Sequence, residues 1–147
     1  MALHHILLVD DDEMLVRLLA RALRKCGYQV DTAVDGQDGL EKALTLRPDL
    51  LVLDVMMPRM DGYEVCHHLR RHPETAATPV LIITSLGSAG GPLADSTEEH
   101  AEAVHQYRQR AFAAGANDFL TKPVRPQTLL DRIKHVTLDT PHLACPG

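Results

Sequence analysis

Short apolar runs alternate along the chain with longer segments in which apolar residues recur at helical spacing. A run of four or five residues bounded by turn residues is typical of a buried strand, and the longer segments are typical of amphipathic helices. The predicted strands are Ile6–Val9, Gln29–Ala33, Leu50–Leu53, Val80–Ile83 and Phe119–Thr121. Five strands that each precede a helix predict an α/β fold built on a parallel sheet.

Turn and capping residues give approximate bounds for the five helices. The first helix is predicted to carry apolar residues from Leu15 onward, with Gly27 just past its end as a left-handed cap. The second is predicted to follow Gly36 and stop before Pro48, and the third to lie near Tyr63–Arg71. The fourth is predicted to start near Ser96 and be capped by Gly115, and the fifth to begin close to Pro126. Ser96 and Glu99 have capping-box spacing. Glycine, serine and alanine make Ser85–Asp95 a predicted loop.

Composition narrows the class of protein. A chain of 147 residues with 45% hydrophobic content is long enough for one core, so residues 1–137 are predicted to form one domain and residues 138–147 a flexible tail. A net charge of −5 argues against direct binding of nucleic acid, which needs clustered cations. No apolar run is long enough to cross a membrane, and we expect a cytoplasmic protein.

Polar residues that could take part in binding or catalysis stand directly after four of the predicted strands. Asp10 and Asp11 follow the first strand, Asp54 the third, Thr84 the fourth and Lys122 the fifth. In an open parallel sheet, ligands bind where the carboxyl ends of the strands meet, so these side chains are predicted to share one site. Taken singly, each is more often structural, and the aspartate run alone is more often a helix cap.

Three carboxylates in one cleft repel each other and require a cation. Mg²⁺ is the natural candidate because it takes oxygen ligands and shares phosphate oxygens, whereas nothing resembles a twelve-residue calcium loop. A flavin phosphate would be repelled by acids after the first strand. A phosphatase with an aspartate nucleophile usually has a second acid two residues later, and position 56 is Met.

Taken together, these segments resemble the receiver domains of response regulators in two-component signalling. The resemblance covers about residues 5 to 137 and rests on motifs in family order: Ile6–Asp11, Leu53–Pro58, Met60–Gly62, Ile83–Ser85, Ala114–Ala116 and Thr121–Pro123. It implies a flavodoxin-like, doubly wound (βα)5 sandwich with strand order 2-1-3-4-5.

The resemblance also implies the role of each site residue. Asp54 would be the phosphoacceptor, and Mg²⁺ would be held by Asp11, Asp54 and the backbone carbonyl of Met56, with Asp10 acting through a bound water. Lys122 would neutralise the transferring phosphoryl group, and the peptide bond that follows it would be cis. No other cofactor is expected.

The family's switch is expected at Thr84 and Phe119. Thr84 would turn towards the phosphoryl group and let the aromatic ring at 119 move inward, which would change the surface of helix four, strand five and helix five. Two departures stand out. Met56 and Leu86 are apolar where family members often carry polar groups that guide the attacking water, so slow self-dephosphorylation is predicted. The segment Ser85–Ala114 is also longer than the family pattern. That segment is either a tolerated insertion or an altered partner surface.

The prediction is therefore a phosphorylatable signalling domain rather than an enzyme with a separate substrate. Its expected partners are a sensor histidine kinase or phosphotransfer protein and a downstream protein target or output domain. The residues after the fifth helix are expected to be too few to form such an output domain themselves. No contact with nucleic acid or membrane is expected. The alternative is a receiver-like interaction module that works without phosphorylation, and a true phosphatase also remains open.

Overall fold

The computed structural model describes residues 4–57, 60–84 and 98–136, without the side chains of residues 98–101. Within these ranges five strands alternate with five helices, as the apolar pattern predicts. The strands are β1 (His5–Val9), β2 (Gln29–Ala33), β3 (Leu50–Asp54), β4 (Val80–Thr84) and β5 (Asp118–Thr121). The helices are α1 (Glu13–Lys25), α2 (Gly36–Leu46), α3 (Gly62–Arg71), α4 (Glu98–Ala113) and α5 (Pro126–Val136).

All five strands are parallel and lie in the order β2-β1-β3-β4-β5, which confirms the predicted fold and strand order. β3 lies at the centre, with Leu51 paired to Leu7 of β1 on one side and to Val80 of β4 on the other. Every residue of β3 is buried, as expected of a strand covered on both faces. The carboxyl ends of β1, β3, β4 and β5 consequently share one edge.

Alternate residues of the strands pack into two separate hydrophobic layers, one on each face of the sheet. Ile6 and Leu8 of β1 pack in one layer with Leu19 of α1 and Leu129 of α5. On the opposite face, Leu7 and Val9 pack with residues of α2, α3 and α4. Burying a leucine side chain contributes about 1.5–3 kcal/mol, so both layers stabilise the sheet on which the site stands.

The observed ends of the helices and strands lie close to those predicted from the sequence. Gly27 and Gly115 both have positive φ, of 94° and 108°, as predicted for left-handed caps. Side chains of Asp12, Asp35 and Asp61 accept the backbone N–H that opens α1, α2 and α3. β1 and β5 each begin one residue earlier than predicted because strand pairing extends to His5 and Asp118.

Some predictions fall outside the described residues. These are the loop Ser85–Asp95, the capping residue Ser96, Leu86, and the tail of residues 138–147. The division into a domain of 1–137 and a tail therefore stays a prediction. None of the helices in the described ranges is both long and apolar enough to span a bilayer.

Candidate functional site

Three aspartates come together at the carboxyl edge of the sheet. Asp10 follows β1 directly, Asp11 comes next in the chain, and Asp54 is the last residue of β3. One carboxylate oxygen from each of the three lies within 4.8 Å of the other two. Asp10 and Asp54 are 4% and 1% exposed, whereas Asp11 is exposed, so the cluster has a buried base and an open side.

Lys122 lies against this cluster. Its Nζ is 2.9 Å from Oδ2 of Asp10 and 3.5 Å from Oδ2 of Asp54. Its backbone N–H donates to the carbonyl of Thr84 at 2.7 Å, which ties the end of β5 to the end of β4. The Lys122–Pro123 peptide bond is cis, as the family resemblance implied. One ammonium therefore faces three carboxylates.

The pKa values of the cluster reflect this excess of negative charge. Burial raises the pKa of Asp54 to about 7, and the neighbouring Asp10 carboxylate adds to the rise while Lys122 opposes it. Partial burial, followed by the charge of Asp10, raises the pKa of Asp11. Burial lowers the pKa of Lys122, but its contacts with Asp10 and Asp54 outweigh burial and raise it. Lys122 thus stays a cation, and its single positive charge does not balance the three neighbouring carboxylates.

The arrangement fits a hard divalent cation. Oδ1 of Asp54 is buried and has no hydrogen-bond partner among the residues that the structure describes. A buried carboxylate oxygen without a partner is costly, and a cation would satisfy it. The potential metal-ligand atoms that converge here are all carboxylate oxygens, which Mg²⁺ prefers over nitrogen or sulfur. Oδ1 of Asp10 is held separately, by the backbone N–H of Asp12 at 2.9 Å.

A close backbone approach holds Asp54 in place, and sequence reasoning did not find it. The N–H of Gly62, at the start of α3, donates to the carbonyl of Val55 at 3.1 Å. A Cβ at position 62 would lie 2.5 Å from the carbonyl oxygen of Asp54. The start of α3 therefore packs directly against the backbone of Asp54, and only glycine fits there. The glycine directly after the Asp61 cap was the available signal.

The remaining predicted residues within the described ranges are Met56, Thr84 and Phe119. The Met56 side chain is 55% exposed, two residues beyond Asp54. Thr84 is buried at the end of β4, and Phe119 is buried on β5. Because Phe119 pairs with Ile82 and Thr121 with Thr84, the side chains of Phe119 and Thr84 are on the same face of the sheet. In this structure Phe119 is already buried, in the layer that also holds Ala111 of α4 and Ala114, the residue that directly follows this helix.

Fold and site together define a domain of the parallel α/β class, with an acidic cluster and a lysine at the carboxyl edge of the sheet. Residues 6–91 match the response regulator receiver domain, and the chain belongs to that family. It is 39% identical over 88% of its length to the DNA-binding dual master transcriptional regulator RpaA of Synechocystis sp.. It is 40% identical over 90% of its length to the response regulator PleD of Caulobacter vibrioides.

Among solved structures, the chemotaxis response regulator CheY4 of Vibrio cholerae superposes with a TM-score of 0.75 at 31% identity. The match covers 92% of this chain and 99% of that protein. By contrast, this chain spans 47% of the Synechocystis regulator and 26% of the Caulobacter one. The receiver domain is therefore what this chain shares with these longer relatives.

Proposed function

We propose that this receiver domain accepts a phosphoryl group on Asp54, with Mg²⁺, and signals by a change in its surface. The observation that carries this proposal is the convergence of Asp10, Asp11 and Asp54 within 4.8 Å, with the Lys122 ammonium 3.5 Å from Asp54. Phosphoryl transfer needs in-line access to a carboxylate and positive charge around the transferring group. The exposed side of the cluster provides that access.

Each residue has a distinct part in the transfer. One oxygen of Asp54 attacks the phosphorus while the donor keeps the electrons of the broken bond. Lys122 places its ammonium beside the attacked group and offsets the charge that develops on the phosphoryl oxygens. Asp11, Asp54 and the backbone carbonyl of Met56 would hold Mg²⁺ directly, and Asp10 would do so through water. When bound, Mg²⁺ neutralises the carboxylates and further phosphoryl charge.

The consequence of phosphorylation is proposed to reach α4, β5 and α5. Thr84 and Phe119 lie on one face of the sheet, and Phe119 shares a buried layer with Ala111 of α4, so a movement of Thr84 that shifts Phe119 would reach that helix. The partners would be a sensor histidine kinase or phosphotransfer protein upstream and a protein target or output domain downstream, in the cytoplasm. A relative carries DNA binding in its name; the absence of nucleic-acid binding by this chain stays a prediction.

Acetyl phosphate labelling tests the proposal. Purified protein is incubated with acetyl phosphate and Mg²⁺, and the intact mass is measured over time. We expect one phosphoryl group per chain, which does not form when EDTA removes Mg²⁺ and is absent from Asp54→Asn. Asp49→Asn is a matched control because Asp49 is exposed at the opposite end of the sheet. Label on Asp54→Asn, or none on the wild type, would favour a module that works without phosphorylation of this residue.

A further inference from the structure

Tyr63 stands where the loop from the phosphoacceptor strand enters α3. It follows Gly62, which packs against the carbonyl of Asp54 and donates its N–H to Val55. The side chain of Tyr63 is buried, with 6% exposed. Because Gly62 leaves no free space beside Asp54, a shift of the strand end must be transmitted to the first turn of α3.

The side chain of Tyr63 reaches α4 at two points. Its hydroxyl donates to the backbone carbonyl of Tyr107 at 3.3 Å. The guanidinium of Arg110 lies over its ring, 4.6 Å from the ring centre. Residues three apart in a helix lie on the same side, so both contacts involve the same face of α4. Tyr63, directly after Gly62, thus connects the strand end at Asp54 to two positions of α4 that are three residues apart.

The rest of the contact between α4 and the core is made largely by small residues. Among the described residues, Ala111 of α4 and Ala114 directly after it are buried in the layer that also holds Tyr63, while Val104 and Tyr107 of α4 are only partly buried. A helix packed through alanines loses little area when it shifts, so its position depends strongly on the few large contacts it makes. The Tyr63–Arg110 pair is one of these.

We propose that Tyr63 is a positioning residue that couples Asp54 to α4 through Arg110, in addition to the connection through Thr84 and Phe119. Phosphorylation that moves the end of β3 would shift the first turn of α3 and change the Tyr63 contacts on α4. The helix would then favour a different position. This inference rests on the proposed phosphorylation of Asp54.

The test compares amide hydrogen exchange of residues 102–113 of α4 with and without Mg²⁺ and beryllofluoride, which mimics a bound phosphoryl group. The readout is the ratio of the exchange rates in the two states, because a purely structural contact would change both rates alike. In the wild type we expect the two rates to differ. In Arg110→Ala that ratio should move about two- to fivefold closer to one, the effect of losing a cation–π contact.

Two further variants separate the parts of the contact. Tyr63→Phe keeps the stacked ring and should retain most of the wild-type ratio. Arg110→Lys keeps a cation and should lie between wild type and Arg110→Ala, which also guards against a folding defect in the alanine variant. Arg108→Ala is the matched control, because Arg108 stacks on Phe112 of the same helix, at 5.7 Å, and makes no link to α3 in that contact.

The outcomes are distinct for the two proposals. A wild-type ratio in Arg110→Ala, or an equal loss in Arg108→Ala, would overturn the coupling role while leaving phosphorylation of Asp54 intact. A wild type that shows no beryllofluoride response at α4 but still accepts label from acetyl phosphate would also overturn the coupling. If neither label nor response is found, the proposed function itself fails.

Discussion

Replacing Arg70 with alanine should destabilise the domain strongly, although the residue lies far from the acidic cluster. Arg70 is near the end of α3, and the five N–H groups of its guanidinium make six hydrogen-bond contacts with uncharged oxygens, because Nη1 is shared among three carbonyls. Three go to carbonyls of the turn between α3 and β4, and three go to the turn before β5. The acceptors are Thr75, Ala76, Thr78, Gly115 and Asn117. One side chain thus joins two turns that are distant in sequence.

The magnitude follows from the shortest bond on each side, 2.7 Å to Thr78 and 2.7 Å to Gly115. A hydrogen bond to a charged group contributes about 1.5–3 kcal/mol, and the longer, more exposed acceptors regain water when the guanidinium is removed. Counting one bond on each side gives a loss of about 3 kcal/mol for Arg70→Ala. For a protein of this size that is a fall in Tm of about 6–12 °C.

The assay is urea unfolding followed by circular dichroism, with Arg71→Ala as the matched control. Arg71 is the next residue of the same helix and is exposed, so its loss should change stability by less than about 0.5 kcal/mol. Arg70→Lys keeps the charge but not the planar fork and should recover less than half of the loss. If Arg70→Ala and Arg71→Ala unfold within about 0.5 kcal/mol of each other, the network contributes no net stability.

Three further predictions concern the site itself. The pKa of Asp54 is raised to about 7 in the fold, so in EDTA the folded state binds more protons than the unfolded state and stability should fall between pH 4 and pH 7, by at most about 4 kcal/mol. Urea unfolding of Asp54→Asn should lack most of this loss, and an equal slope in wild type and variant would contradict it. Gly62→Ala should cost about 1–3 kcal/mol in the same assay, because its Cβ meets the Asp54 carbonyl; an unchanged midpoint would refute the close approach. Met56→Asn, which adds a polar group beside Asp54, should speed loss of the phosphoryl group by about fivefold to tenfold, as one new hydrogen bond would; a wild-type half-life of seconds in purified protein would contradict slow self-dephosphorylation.

The grouping of the site residues was predictable because it depends on local pattern and on one rule of topology. The unbroken apolar run of β3 identified a central strand, and the residue at its end had to lie on the edge where ligands bind. The same rule brought Asp10, Asp11 and Lys122 to Asp54. The short Asp10–Lys122 distance was not predictable, since strand order fixes neighbours and not side-chain distances.

Contacts between distant segments were not predictable from pattern. Arg70 looks like an ordinary surface charge in a helix, and its acceptors at Gly115 and Asn117 follow about 45 residues later. The stacking of Arg110 on Tyr63 depends on where α4 lies against α3, which periodicity alone does not determine. Single-sequence patterns report burial and turns, and they carry no information about which turns meet.

The central claim is that Asp54 itself forms the acyl phosphate. Borohydride reduces an acyl phosphate selectively, so treatment after acetyl phosphate marks the modified residue for peptide mapping by mass spectrometry. We predict reduction at Asp54 in Mg²⁺ and none in EDTA, with Asp10 and Asp11 unmodified. Reduction at Asp10 or Asp11, or none at Asp54 in a folded, Mg²⁺-saturated protein, would contradict the account.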